Sequence, residues 1–187
     1  MLDNIKATDI VTADIAKNGV ASEGMRMGGV YTVECRDADG NLKWTDTFNN
    51  LVTIVGLQDV NNKYFTGSAY TATWYIGIVN SGGTYAYADT AASHAGWTEN
   101  TSYSQTNRPT MSFGASTSAN PSVISTSAAA TFSMTGTATI AGAFVINNNT
   151  KGGTTGTLFS VGNFTGGSKT VASGDTLNVS YSLSNAG

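Results

Sequence analysis

Apolar and polar positions alternate with period two over Val30-Tyr31-Thr32-Val33-Glu34-Cys35-Arg36, and again over Leu42-Lys43-Trp44-Thr45-Asp46-Thr47-Phe48. That period puts successive side chains on opposite faces of a strand. Between the two runs stands Asp37-Ala38-Asp39-Gly40-Asn41. Its Asp-Gly step predicts a hairpin, because the turn needs residues that tolerate positive φ. The pattern then changes. Over Asn50 to Tyr64, the positions Leu51, Ile54, Val55, Leu57, Gln58 and Val60 leave an apolar face behind Asn and Thr residues able to cap, which predicts one short helix. The apolar run Tyr70 to Val79, with Trp74-Tyr75-Ile76-Gly77-Ile78-Val79 inside it, predicts a buried strand. Residues 81–107 carry Gly82-Gly83, Asp89-Thr90 and His94-Ala95-Gly96-Trp97 and read as a long loop. Irregular chain of that length inside a compact domain implies that it serves contacts.

Beyond Arg108 the predicted strands are short and closely spaced: Thr110–Phe113, Ser122–Ser125, Ala130–Met134, Thr137–Ile146, Thr157–Val161, Ser168–Val171 and Thr176–Leu183. Ser-Ala-Asn-Pro at 118–121, Asn147-Asn148-Asn149, Lys151-Gly152-Gly153, Gly166-Gly167 and Ser173-Gly174-Asp175 separate them. In the last strand Val179, Tyr181 and Leu183 alternate with Ser180, Ser182 and Ser184, so one face is expected inside and the other outside. Short strands with regular turns predict an all-β protein, an antiparallel β-sandwich of jelly-roll-like kind. Residues 1–28 read as an N-terminal arm, in which Asp, Asn and Gly interrupt the apolar positions Ile5, Ile10, Val11 and Ile15. Residues 29–187 form the expected sandwich domain, with the contact loop at 81–107.

Composition sharpens this picture. Charged residues are 11% of the 187, against about 25% in an average soluble domain. Of the 9 basic and 12 acidic residues, only Lys151, Lys169 and Asp175 lie beyond Arg108. A free surface normally mixes charges for solubility, so a nearly neutral polar β surface suggests contact with neighbouring subunits. The net charge of −3 and the lack of a basic stripe argue against nucleic acid and against an anionic membrane. Cys35, the 1 cysteine, leaves no disulfide framework. The first residues carry Asp3, Lys6, Asp9, Asp14 and Lys17 rather than a basic and then apolar signal, so assembly in the cytoplasm is expected.

No motif points to catalysis, a metal or a cofactor, and the expectation is a non-enzyme. His94 lies near Asp89 and Glu99 in sequence, but a loop histidine bonded locally is the favoured reading. Asp175 sits in a Ser-Gly-Asp turn and has no partner carboxylate for glycoside hydrolysis. Asp37 and Asp39 superficially resemble a calcium loop, yet the Gly comes too early and Phe48 stands where a bidentate Glu is needed. Trp74, Trp97, Tyr85, Tyr87 and Tyr103 are read as core and interface aromatics, with a sugar-stacking site as the other possibility.

Several segments together resemble small virion proteins of tailed phages. They are Asp37-Ala38-Asp39-Gly40-Asn41-Leu42-Lys43-Trp44 with Phe48-Asn49-Asn50-Leu51-Val52-Thr53, the run Tyr64 to Tyr75, Ala92 to Asn100, Gly152 to Leu158 and Ser173 to Val179. The resemblance spans roughly residues 30 to 185 and rests on turns and strand edges. It implies a capsid cement or decoration protein on the virion surface. The implied partners are the major capsid protein and further copies of this chain, as a dimer or trimer. The alternative it leaves is a tail, collar or head-fibre component that binds host glycans.

Overall fold

The computed structural model describes residues 24–70, 73–81 and 83–187. Over those residues it is an all-β sandwich of two antiparallel sheets, with one short helix among the described residues. The first sheet holds β1 (Arg26–Arg36), β2 (Leu42–Asn49), β7 (Ser122–Ser125), β8 (Ala130–Ser133) and β12 (Thr176–Ala186). Its order is β2-β1-β12, and β7 and β8 follow one another along the far edge of β12. The second sheet holds β3 (Leu51–Val52), β4 (Trp74–Asn80), β5 (Glu99–Asn100), β6 (Thr110–Met111), β9 (Ala138–Ile146), β10 (Leu158–Asn163) and β11 (Lys169–Val171). Its order is β3-β10-β9-β4-β5, with β11 beside β9 and β6 beside β4.

Local chemistry accounts for the elements. The β1–β2 turn closes with the Gly40 N–H donating to the Asp37 carbonyl at 3.0 Å, and Gly40 takes φ +86°. The Asp37 carboxylate accepts from the Asp39 and Asn41 N–H groups, so this apparent ion loop is a self-satisfied turn. Helix α1 (Ile54–Phe65) begins later than the pattern predicts. Leu51 and Val52 pair with β10 instead, and Thr53 is the N-cap, accepting from the Gly56 N–H at 3.1 Å. Gly56 lets the helix lie directly on β10, since a Cβ there would meet the Phe159 carbonyl oxygen at 2.5 Å. At the N-terminus, β1 already starts at Arg26, opposite Ala186, inside the segment read as an arm. The remainder of that arm, residues 1–23, lies outside the described residues.

Two apolar clusters hold the layers together. The larger lies between the sheets: Tyr31, Val33, Phe132, Leu177, Val179 and Tyr181 from one side face Ile76, Ile78, Ile140, Val145 and Phe159 from the other. The smaller lies on the outer face of the second sheet, where Val79, Phe144, Ile146, Leu158 and Val161 are covered by Ala91 and Trp97 of the long loop. That loop is therefore a third layer. It explains why β9 is buried on both faces from Ile140 to Ile146.

Candidate interaction surface

The residues that carried candidate chemistry are engaged inside the chain. His94 stacks on Trp97, with ring centroids 4.1 Å apart, and its Nδ1 lies 3.0 Å from the Trp97 carbonyl oxygen. Asp89 accepts from Trp97 Nε1 at 3.0 Å and from the Ala86 N–H at 3.1 Å. Glu99 belongs to Arg108. The guanidinium Nε and Nη2 donate to its two oxygens at 3.0 and 2.8 Å, and the pair is 2% and 7% exposed. His94 thus bonds neither nearby carboxylate, and the three side chains form no relay.

Asp175 accepts from Lys43 Nζ at 2.5 Å and from the Ala172 N–H at 2.8 Å. Burial disfavours its charge, but Lys43 and the Ala172 N–H outweigh that and hold its pKa below the usual aspartate range. The Cys35 thiol donates to the same carboxylate across 3.8 Å. Burial first, and then the Asp175 charge, push the Cys35 pKa up to about 11. A thiol so placed is a poor nucleophile. Among the described residues no three His, Cys, Asp or Glu side chains come together to hold a metal ion. No helix there is long and apolar enough to cross a membrane.

Several of the few charges are used as internal ties. Lys169 pairs with Asp46 at 3.2 Å, while Asp46 also accepts from the Thr165 and Gly166 N–H groups. Lys151 donates to the Tyr103 and Gln105 carbonyls at 2.9 and 2.8 Å and lies over the Tyr103 ring. Of the loop aromatics, Trp97 and Tyr103 are buried and Tyr85 is half-buried, its hydroxyl donating to Asn163 Oδ1 at 2.7 Å. Tyr87 is exposed. Trp97 and Tyr103 therefore pack inside the chain rather than on its surface.

Apart from Met25 and Leu42, the large exposed apolar side chains among the described residues lie on and beside α1. Ile54, Leu57, Tyr64 and Phe65 are exposed, Tyr64 to 81% and Phe65 to 69%. With Asn61 they share one arc of the helix about 100° wide, the width of a stripe that normally faces a core. Tyr87 extends it, since the Ile54 N–H donates to the Tyr87 carbonyl at 2.8 Å. Next to the stripe, and sharing Tyr64 with it, a groove of about 730 Å³ opens beside α1. Val145, Phe159, Tyr181 and Leu183 line its depth, and Asp59, Lys63, Tyr70 and Trp74 stand around it.

Sequence reasoning located the helix but not its outward stripe. The signal was present: Ile54 and Phe65 lie opposite Gly56 on the helix, Leu57 and Tyr64 lie beside them, and the small Gly56 marks the face that meets the sheet. Compared with known proteins, this chain matches no protein-family model, no curated protein and no solved structure.

Proposed function

We propose that this protein is a structural component of an assembly, a cement or decoration protein of a tailed-phage capsid, and that it docks through the α1 stripe. The observation that carries the reading is the exposed apolar stripe Ile54–Leu57–Tyr64–Phe65 on a helix anchored from below. Thr53 caps that helix and Gly56 seats it on β10, so its outer face is pre-organised and little ordering entropy opposes docking. An amphipathic helix that lays its apolar face in a partner's groove is a recurring mode of protein recognition. The charge-poor half beyond Arg108 adds a neutral polar surface suited to packing among subunits.

The role is passive. Binding the mature shell and not its precursor stabilises the shell by mass action. A lattice of identical sites turns a modest contact into a durable one through avidity. The test is quantitative mass spectrometry of purified virions, followed by re-addition of the Leu57→Asp/Phe65→Asp chain to heads stripped of the protein. The expected result is a copy number commensurate with the capsid lattice and failure of the variant to rebind. A handful of copies per particle supports the tail, collar or head-fibre alternative. Absence from virions refutes the virion reading.

A further inference from the structure

The stripe on α1 has the chemistry and the relief of a surface that pairs with its own copy. Ile54, Leu57, Asn61, Tyr64 and Phe65 carry no charge. The charged residues of the helix, Asp59 and Lys63, line the groove instead. A second stripe can therefore be laid on the first without setting like charges against each other, a juxtaposition that otherwise suppresses association.

The relief is uneven along the helix axis. At the C-terminal end Tyr64 and Phe65 stand proud, 81% and 69% exposed, while at the N-terminal end Ile54 and Leu57 lie lower, 47% and 42% exposed. Two stripes run antiparallel put the aromatic end of each over the aliphatic end of the other. A parallel pairing sets aromatic on aromatic and leaves a gap at Ile54. In the antiparallel arrangement Asn61, the polar member of the stripe, falls near the two-fold axis, within reach of its counterpart's amide. The exposed parts of Ile54, Leu57, Tyr64, Phe65 and Tyr87 amount to roughly 600 Å², on a scale of about 150–250 Å² for one whole aromatic side chain. A pair then buries about 1,200 Å², which reaches the lower bound of specific, stable interfaces. A two-fold contact uses the same patch on both copies, so it closes at two and grows no filament.

We propose that the partner of the α1 stripe is a second copy of this chain, held in an antiparallel, two-fold helix pair. The pairing rests on the reading of the stripe as a docking surface and names what docks there. A paired molecule presents two equivalent shell-facing surfaces, so a lattice holds it bivalently, and a chain that cannot pair loses that avidity.

Sedimentation velocity of the full chain across the micromolar range tests the pairing. The expected result is a reversible monomer–dimer equilibrium. Ile54→Glu and Phe65→Lys put a negative charge at the N-terminal end of α1 and a positive one at the C-terminal end, where the helix dipole tolerates them. Each alone should weaken the dimer more than about tenfold, by setting an unpaired charge against an apolar contact. Mixing the two variants should restore pairing, because the new carboxylate of one then faces the new ammonium of the other. A wild type that stays monomeric or forms a trimer overturns the proposal. So does a dimer that neither variant weakens, or a mixture that stays apart. Rebinding to stripped heads is read separately. A wild-type monomer that rebinds through the stripe overturns the pairing and spares the docking reading, whereas a dimer absent from virions supports the pairing and removes the virion reading.

Discussion

Arg108→Ala should be among the most damaging substitutions outside the main core. The guanidinium makes four hydrogen bonds: two to Glu99, one from Nη1 to the Asn148 carbonyl at 2.9 Å and one from Nη2 to the Gly153 carbonyl at 2.8 Å. It also lies 5.3 Å from the Phe144 ring centroid. The truncation leaves the Glu99 carboxylate buried with two uncharged donors, the Gly152 N–H at 2.7 Å and the Tyr103 hydroxyl at 3.5 Å. It also opens two carbonyls of the 147–157 turn. Removing one member of a buried ion pair costs about 3–5 kcal/mol, because the stranded charge has lost its compensation. For a chain of this size that corresponds to a fall of roughly 6–20 °C in Tm. Urea denaturation at pH 7, followed by tryptophan fluorescence, gives the number by linear extrapolation. Arg108→Lys should fall between the two, since an ammonium keeps the charge but cannot serve both carboxylate oxygens and two carbonyls at once. Glu99→Leu/Arg108→Met should recover part of the loss by removing both charges together. A loss below about 1 kcal/mol for Arg108→Ala, the value of an exposed pair, would refute the view that this clamp holds the loop layer on the second sheet.

Asp175→Asn should lose about 1.5–3 kcal/mol at neutral pH through its bonds with Lys43 and the Ala172 N–H. The native carboxylate releases its proton more readily than the unfolded one, whose pKa is near 3.8. Its contribution is therefore complete above about pH 5 and vanishes as pH falls through the lower native value. Wild type and variant should converge in urea titrations carried well below that range, and a constant difference would contradict the assignment. Gly142→Ala should leave little soluble folded protein, because a Cβ there would drive into the backbone of Gly162 on β10. Wild-type yield and circular dichroism would refute the close strand approach.

Much of the architecture was legible because strand and turn chemistry are local. The Asp37–Asn41 turn, the strand Ser122–Ser125 and the Val179–Tyr181–Leu183 face all follow from nearest neighbours, and the structure has them. The start of the helix was misread because Asn50 to Thr53 satisfies capping rules at more than one position. Pairing of Leu51 and Val52 with β10, a contact over a hundred residues away in sequence, decided between them. The long loop was harder. Its Trp97 has no periodic neighbours, so nothing local says that it is inward. The clue lay elsewhere, in the unbroken apolar run Ile140 to Ile146. A strand with two buried faces needs a cover on each, and the loop is the second cover. The interaction surface was least legible, since a helical stripe reads the same whether a core lies over it or water does.

Among the described residues most margins of the two sheets are short or interrupted, and the one long edge strand, β2, carries charged side chains. Beside β4 the second sheet offers only the two-residue strands β5 and β6, and its other side carries the two-residue β3 and the three-residue β11. The first sheet ends on one side in β7 and β8, interrupted between Ser125 and Ala130. On the other side lies β2, whose Lys43 and Asp46 are fastened to Asp175 and Lys169. Short, broken or charged margins block the edge-to-edge polymerisation to which open β-sheets are prone. A β-protein with so little surface charge can therefore be crowded at high local density and still meet its neighbours mainly through side chains, with few of its backbone ladders open to them.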